Sequence, residues 1–211
     1  MANFAIDLAP LRKSKDFSLL WAAGLISYFG SMITYVAVPF QIKELTGSYV
    51  AVAISGLVEI LPLVIFGLYG GVLADALDRK KLIWVTEALS LLFTGILLIN
   101  SLMDSPNLLL IYIVSGLFAA VSGLRQPAMQ AALPRLVDHE DMTAAAALMS
   151  LRWQVGVIVG PAVGGILISS YSVAVGYAAD IATFIISIVL IAFMKNIPPS
   201  HEAEAPSLSA L

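Results

Sequence analysis

The stretch Gly70-Gly71-Val72-Leu73-Ala74-Asp75-Ala76-Leu77-Asp78-Arg79-Lys80-Lys81 separates two long apolar runs, Val50 to Tyr69 and Leu82 to Leu102. Five of its twelve residues are charged, and three of those are consecutive cations. A short cationic connector between two runs of about 20 apolar residues reads as a cytoplasmic loop joining two membrane helices. Gly70 and Gly71 allow another backbone to approach closely at the membrane face. Asp75 is costly inside lipid, so it belongs at the boundary, paired with Arg79 or capping a helix.

The rest of the chain has the same character. Its 211 residues are 60% hydrophobic and 12% charged, with a mean hydropathy of +0.95. A soluble domain is nearer half apolar with about a quarter charged. The length accommodates six spans and not twelve. The net charge is −3, with most charges in loops and tails, and gives no sign of a nucleic-acid partner. There is no cysteine, hence no disulfide and no thiolate metal ligand. Arg12, Lys13 and Lys15 precede a first apolar run that is too long for a secretory leader and reads as a retained anchor.

The expected organisation is a polar lead, residues 1–16, then helices at about 17–42, 50–74, 82–103, 108–133, 143–168 and 173–194. Residues 195–211 form a disordered tail or the start of a linker. With the N-terminus inside, Arg12, Lys13, Lys15, Arg79, Lys80, Lys81, Arg135 and Lys195 all fall on the cytoplasmic side, and only Lys43 falls outside. The asymmetry places both termini in the cytoplasm of a multi-pass cell-membrane protein. A repeat is also visible. Pro39 and Gly71 are 32 residues apart, Pro134 and Gly165 are 31 apart, and the pairs Gly70-Gly71 and Gly164-Gly165 fall at opposite membrane faces. Two three-helix units of opposite orientation produce this pattern, as in secondary transporters.

Within the fifth run, Gly156, Gly160 and Gly164 recur every four residues and form one smooth helix face for close packing. Pro161 lacks an N–H and bends the helix or frees a carbonyl. Five charged residues lie inside spans: Glu59, Glu87, Arg125, Arg152 and Asp180. Each costs at least about 2.5 kcal/mol at mid-helix unless paired or hydrated. Glu87 and Arg152 lie near helix ends and are expected to reach the interface by snorkelling. No enzyme constellation, phosphate-binding loop, cofactor motif or metal cluster is present. His139 with Asp138, Glu140 and Asp141 reads as a solvated loop whose acids favour a helix N-terminus.

The connector, with Gly71, Asp75, Arg79 and Lys80 in register, resembles the cytoplasmic loop signature of the major facilitator superfamily. Ala76 and Asp78 depart from it, replacing a basic residue and a glycine. These departures, with the string from Gln126, QPAMQAALPRLV, and the run VGPAVGG, resemble the branch of siderophore exporters of the enterobactin type and macrolide efflux pumps. The run Gly156, Gly160, Pro161, Gly164, Gly165 resembles the helix 5 motif of superfamily antiporters, where the two halves of a carrier meet. The resemblance covers Phe17 to Met194, as the N-terminal half of a twelve-helix carrier.

It implies an all-α bundle and efflux of a small molecule, siderophore- or macrolide-like, by proton-coupled alternating access. It implies a cavity lined by helices 1 and 4, hence Tyr28, Tyr35, Arg125 and Gln126 as a candidate substrate path. Glu59 is the candidate proton site. Partners are then the lipid bilayer, the small-molecule substrate and a second six-helix half. That half is a missing C-terminal segment, a separate chain or a second copy. The alternative class is a non-transporting membrane half that acts as an assembly subunit.

Overall fold

The structure, a computed structural model, describes residues 7–198, and for Asp75 the backbone alone. A short helix α1 (Ala9–Lys13) leads into α2 (Lys15–Thr46), α3 (Tyr49–Ala76), α4 (Arg79–Ser101), α5 (Leu108–Leu136), α6 (Met142–Ser170) and α7 (Val173–Ala192). Six of these are long and apolar enough to cross a membrane. Polar residues mark their starts. Ser14, Ser48, Asp78, Asn107 and Ser172 each accept a backbone N–H from three residues on, satisfying a donor that the first turn leaves free. Gly47 closes α2 in the left-handed region, at φ 65°, which a glycine adopts without penalty.

Helix ends differ from the sequence expectation where proline was taken as a stop. Pro134 lies inside α5, which runs on to Leu136. Within the expected polar lead, α1 spans Ala9–Lys13 and Lys15 opens α2. The start of the expected tail is also ordered, as described below. Residues 199–211 lie outside the described residues.

The principal interfaces are α3 with α5, α2 with α6, α2 with α7, α4 with α5, and α4 with α7. Exchanging α2 with α5, α3 with α6 and α4 with α7 maps this set onto itself. Successive spans alternate in direction, so the two three-helix units are inverted relative to each other. The repeat extends to single residues. A Cβ on Gly70 would meet the Leu124 backbone of α5 at 2.9 Å, and one on Gly164 would meet the Ile33 backbone of α2 at 3.1 Å. The second glycine of each pair, Gly71 and Gly165, has open space beside it.

Apolar side chains fill both ends of the bundle. Leu20, Ala74, Ile83, Ala128 and Ile191 pack at the end bearing Arg79. Ala37, Ile42, Leu97, Ile111 and Tyr177 pack at the end bearing Gly47. Buried polar groups lie between these two clusters.

Candidate functional site

Every charge inside a span must find a partner or water, so the five intramembrane charges locate the site. Glu87, on α4, is almost wholly buried, and its Oε1 lies 2.8 Å from Nη1 of Arg125 on α5. Ser27 of α2 donates to the same oxygen at 3.0 Å. Arg152 of α6 completes the group. Its Nη1 occupies the space where Gly24 of α2 has no side chain; a Cβ there would lie 2.1 Å from it. Gly24 lies one turn of α2 from Ser27, so the guanidinium of Arg152 comes alongside the Glu87–Arg125 pair. Even so, Arg152 Nε and Nη1 and Glu87 Oε2 are buried without a hydrogen-bond partner among the described residues.

These residues share one depth. Glu87 is eight residues into α4, Gly24 nine into α2, Arg152 ten into α6, and Arg125 eleven before the end of α5. At about 1.5 Å per residue each lies about 12–16 Å from the Arg79 end, well inside a bilayer core. Glu87 and Arg152 therefore do not snorkel as expected. Their helices turn both side chains inward, and the glycine at position 24 admits the guanidinium.

Asp180, the fifth charge, is fully buried on α7. Thr34 donates to its Oδ2 at 2.5 Å and Thr94 at 3.4 Å, while Thr183 donates to Oδ1 at 3.2 Å. Both oxygens are thus engaged by neutral hydroxyls from three helices. Glu59 lies on α3, partly buried, with no ion pair among the described residues.

The other sequence candidates are dispersed. Tyr28 is half-buried beside Arg125, Arg152 and Trp153. Tyr35 is 62% exposed, and Gln126 is exposed on α5. The glycine face of α6 is turned onto α2. Cβ atoms at Gly156 and Gly160 would meet Tyr28 Cδ1 at 2.3 Å and Met32 Cβ at 2.4 Å. This close approach is made within the chain, so the face does not point toward another half. The face that does point outward carries Trp153, Val157 and Ile158.

In the connector, Arg79 is buried and Lys80 partly so. Arg79 donates from its backbone to Ile197 O at 3.0 Å and from Nη1 to Pro198 O at 2.8 Å. Lys80 Nζ donates to Ala192 O at 3.1 Å and to Met194 O. Asp78 accepts from Ile197 N, and Asp16 from Lys195 N. Lys80 satisfies the carbonyl that α7 leaves free at Ala192, where the helix dipole favours positive charge, whereas Arg79 holds the segment beyond the helix. The segment Lys195 to Pro198 is thereby strapped across the start of α4. The side chain of Asp75 lies outside the described residues.

At the same end Lys13 Nζ bonds Asp141 at 2.9 Å, joining α1 to the turn that opens α6. Among the described residues no cluster of metal-ligating side chains is found, and His139 is exposed.

Residues 5–208 match the family described as transmembrane secretion effector. The chain is 33% identical over 214 residues to the enterobactin exporter EntS of Salmonella choleraesuis, covering 99% of this chain and 51% of that protein. It is 33% identical to the enterobactin exporter EntS of Shigella boydii serotype 18, covering 99% and 50%. With the enterobactin exporter EntS of Escherichia coli O1:K1 the identity is 32%, over the same shares. The chain spans about half the length of the curated relatives it matches.

Proposed function

Because the chain belongs to the transmembrane secretion effector family of the major facilitator superfamily, we propose that it is one six-helix half of a small-molecule exporter. The supporting observation is the buried layer of Glu87, Arg125 and Arg152 about a third of the way along the bundle from the Arg79 end, where packing alone would favour apolar residues. The cargo is siderophore- or macrolide-like, and enterobactin, named for the relatives, is the first molecule to try. The Arg79 end faces the cytoplasm, since the connector cations gather there. The second half comes from a further segment of the same protein, a separate chain or a second copy.

Transport proceeds by alternating access. The layer opens to one side and then the other as the halves rock. Export is driven by protons. Glu59, partly buried and without a charged partner among the described residues, takes up and releases the proton as its surroundings alternate between water and lipid. The strap over Arg79 and Lys80 holds the cytoplasmic end of this half together during that movement.

The half-length of the match favours a second reading, a non-transporting subunit that assembles with other membrane chains. One experiment separates the two. The chain is co-reconstituted in liposomes with the C-terminal half of an enterobactin exporter, and enterobactin movement is followed under an imposed pH gradient. Gradient-driven movement that stops with a protonophore and fails in Glu59→Gln supports the exporter. Stable association with no movement under any gradient favours the assembly subunit.

A further inference from the structure

Two guanidiniums and one carboxylate make up the mid-membrane layer, so it carries one positive charge that no residue in it balances. Arg125 has its counter-ion in Glu87. Arg152 has none: its Nε and Nη1 are buried and make no hydrogen bond among the described residues. The oxygens of Asp180, the other acid fully buried in the bundle, are already held by Thr34, Thr94 and Thr183, and Asp180 forms no ion pair with Arg152 among the described residues.

A buried unpaired guanidinium is costly, and removing such a charge often stabilises a protein. Its presence here is accommodated by specific space. Gly24 leaves room for Nη1, and Gly156 leaves room for the ring of Tyr28 alongside. Arg152 is only partly buried as a residue, so the group is not sealed from the bundle surface. A guanidinium is always charged and donates along several directions, which suits an oxyanion.

We propose that Arg152, with Glu87 and Arg125 across from it, forms a subsite for an anionic oxygen group of the cargo, of the carboxylate class. The anion supplies the acceptor that Arg152 lacks. A hydroxyl next to it on the cargo donates to the free Oε2 of Glu87. This subsite rests on the exporter reading for its purpose, but not for its existence.

The test is binding to the full chain in phosphatidylcholine nanodiscs, in gluconate buffer so that chloride does not compete. The probes are naphthalene-2-carboxylate and the matching neutral amide, naphthalene-2-carboxamide, measured by equilibrium dialysis. A charge-assisted contact in a buried site should favour the acid by at least about tenfold. Arg152→Gln should reduce that preference to within about twofold, and Arg152→Lys, keeping the charge, should retain most of it. Equal affinity for acid and amide in the native chain overturns the subsite. So does an acid preference that survives in Arg152→Gln, or no binding of either probe. The assay needs neither a second half nor a gradient, so these outcomes leave the exporter reading standing. Absent transport with intact acid binding sinks that reading and spares the subsite.

Discussion

Two carboxylates are buried in the middle of this bundle, and they are treated in opposite ways. Asp180 is enclosed by α2, α4 and α7, and three threonine hydroxyls occupy its oxygens. Glu87 has one oxygen engaged by Arg125 and Ser27 and the other without a partner among the described residues. A buried polar group whose hydrogen bonds are all made by neutral neighbours contributes to holding its helices in register. One left partly unsatisfied among surplus cations lowers stability, and is understandable where a ligand completes it. The first region is built as scaffold, and the second is the one proposed as the working site.

The comparison can be broken most directly by Asp180→Ala. It leaves the Thr34 and Thr94 hydroxyls without their acceptor, while Thr183 keeps the backbone carbonyl of residue 180; with the cavity, it should lower stability by about 3 kcal/mol. The check is thermal unfolding of the purified chain in detergent. A midpoint equal to that of the native chain would remove Asp180 from the scaffold.

Gly160→Leu sharpens the contrast, because the glycine face of α6 sets how closely Arg152 approaches α2. A Cβ there would lie 2.4 Å from Met32 and 3.0 Å from Phe29 O. Overpacking should cost about 1–3 kcal/mol. Val159→Leu, on the exposed side, should change stability by less than about 0.5 kcal/mol. Equal losses in the same unfolding assay would show that the glycine face is not a close contact.

The strap offers a smaller effect. Arg79→Ala removes the side-chain bond to Pro198 O, one of the contacts that hold the segment after α7. About 1–2 kcal/mol should be lost, with the start of α4 more rapidly exchanged by hydrogen–deuterium exchange. Unchanged protection there would reduce the strap to a chance contact.

Lys13 gives the least. Its hydrogen bond and ion pair with Asp141 raise its pKa above the ordinary 10.5. The folded state therefore binds this proton more tightly than the unfolded chain. Its contribution is present below pH 10.5 and is lost as pH rises through the higher folded value. Because the lysine is exposed, Lys13→Ala should alter the unfolding midpoint only slightly at neutral pH. The difference between variant and native chain should vanish in strong alkali.

The six spans and the inverted repeat were legible because they rest on composition and on glycine and proline spacing. The repeat even fixed which glycine pairs correspond, Gly70-Gly71 with Gly164-Gly165. Side-chain partners were not legible. These helices are apolar around nearly their whole circumference, so the sequence does not say which way each one faces. Glu87 and Arg152 read as interfacial for that reason, although the helix rotations turn both inward.

The satisfaction of Asp180 was hidden because its donors are threonines, common residues spread over three helices. The strap was missed because its contacts are made to backbone carbonyls of Ala192, Met194, Ile197 and Pro198, which leave no side-chain pattern. Tyr35 and Gln126 were singled out by the family resemblance alone, and both are exposed on the bundle surface.

The claim that the mid-membrane layer works while Asp180 supports is best tested by one variant. Efflux and the unfolding midpoint are measured on the same preparation of the assembled carrier bearing Arg152→Gln. Efflux of an acidic cargo should fall by at least about tenfold, because a charge-assisted contact is lost. The unfolding midpoint should stay level or rise, because a buried unpaired cation is gone. Retained efflux together with a lowered midpoint would contradict the claim and return Arg152 to the scaffold.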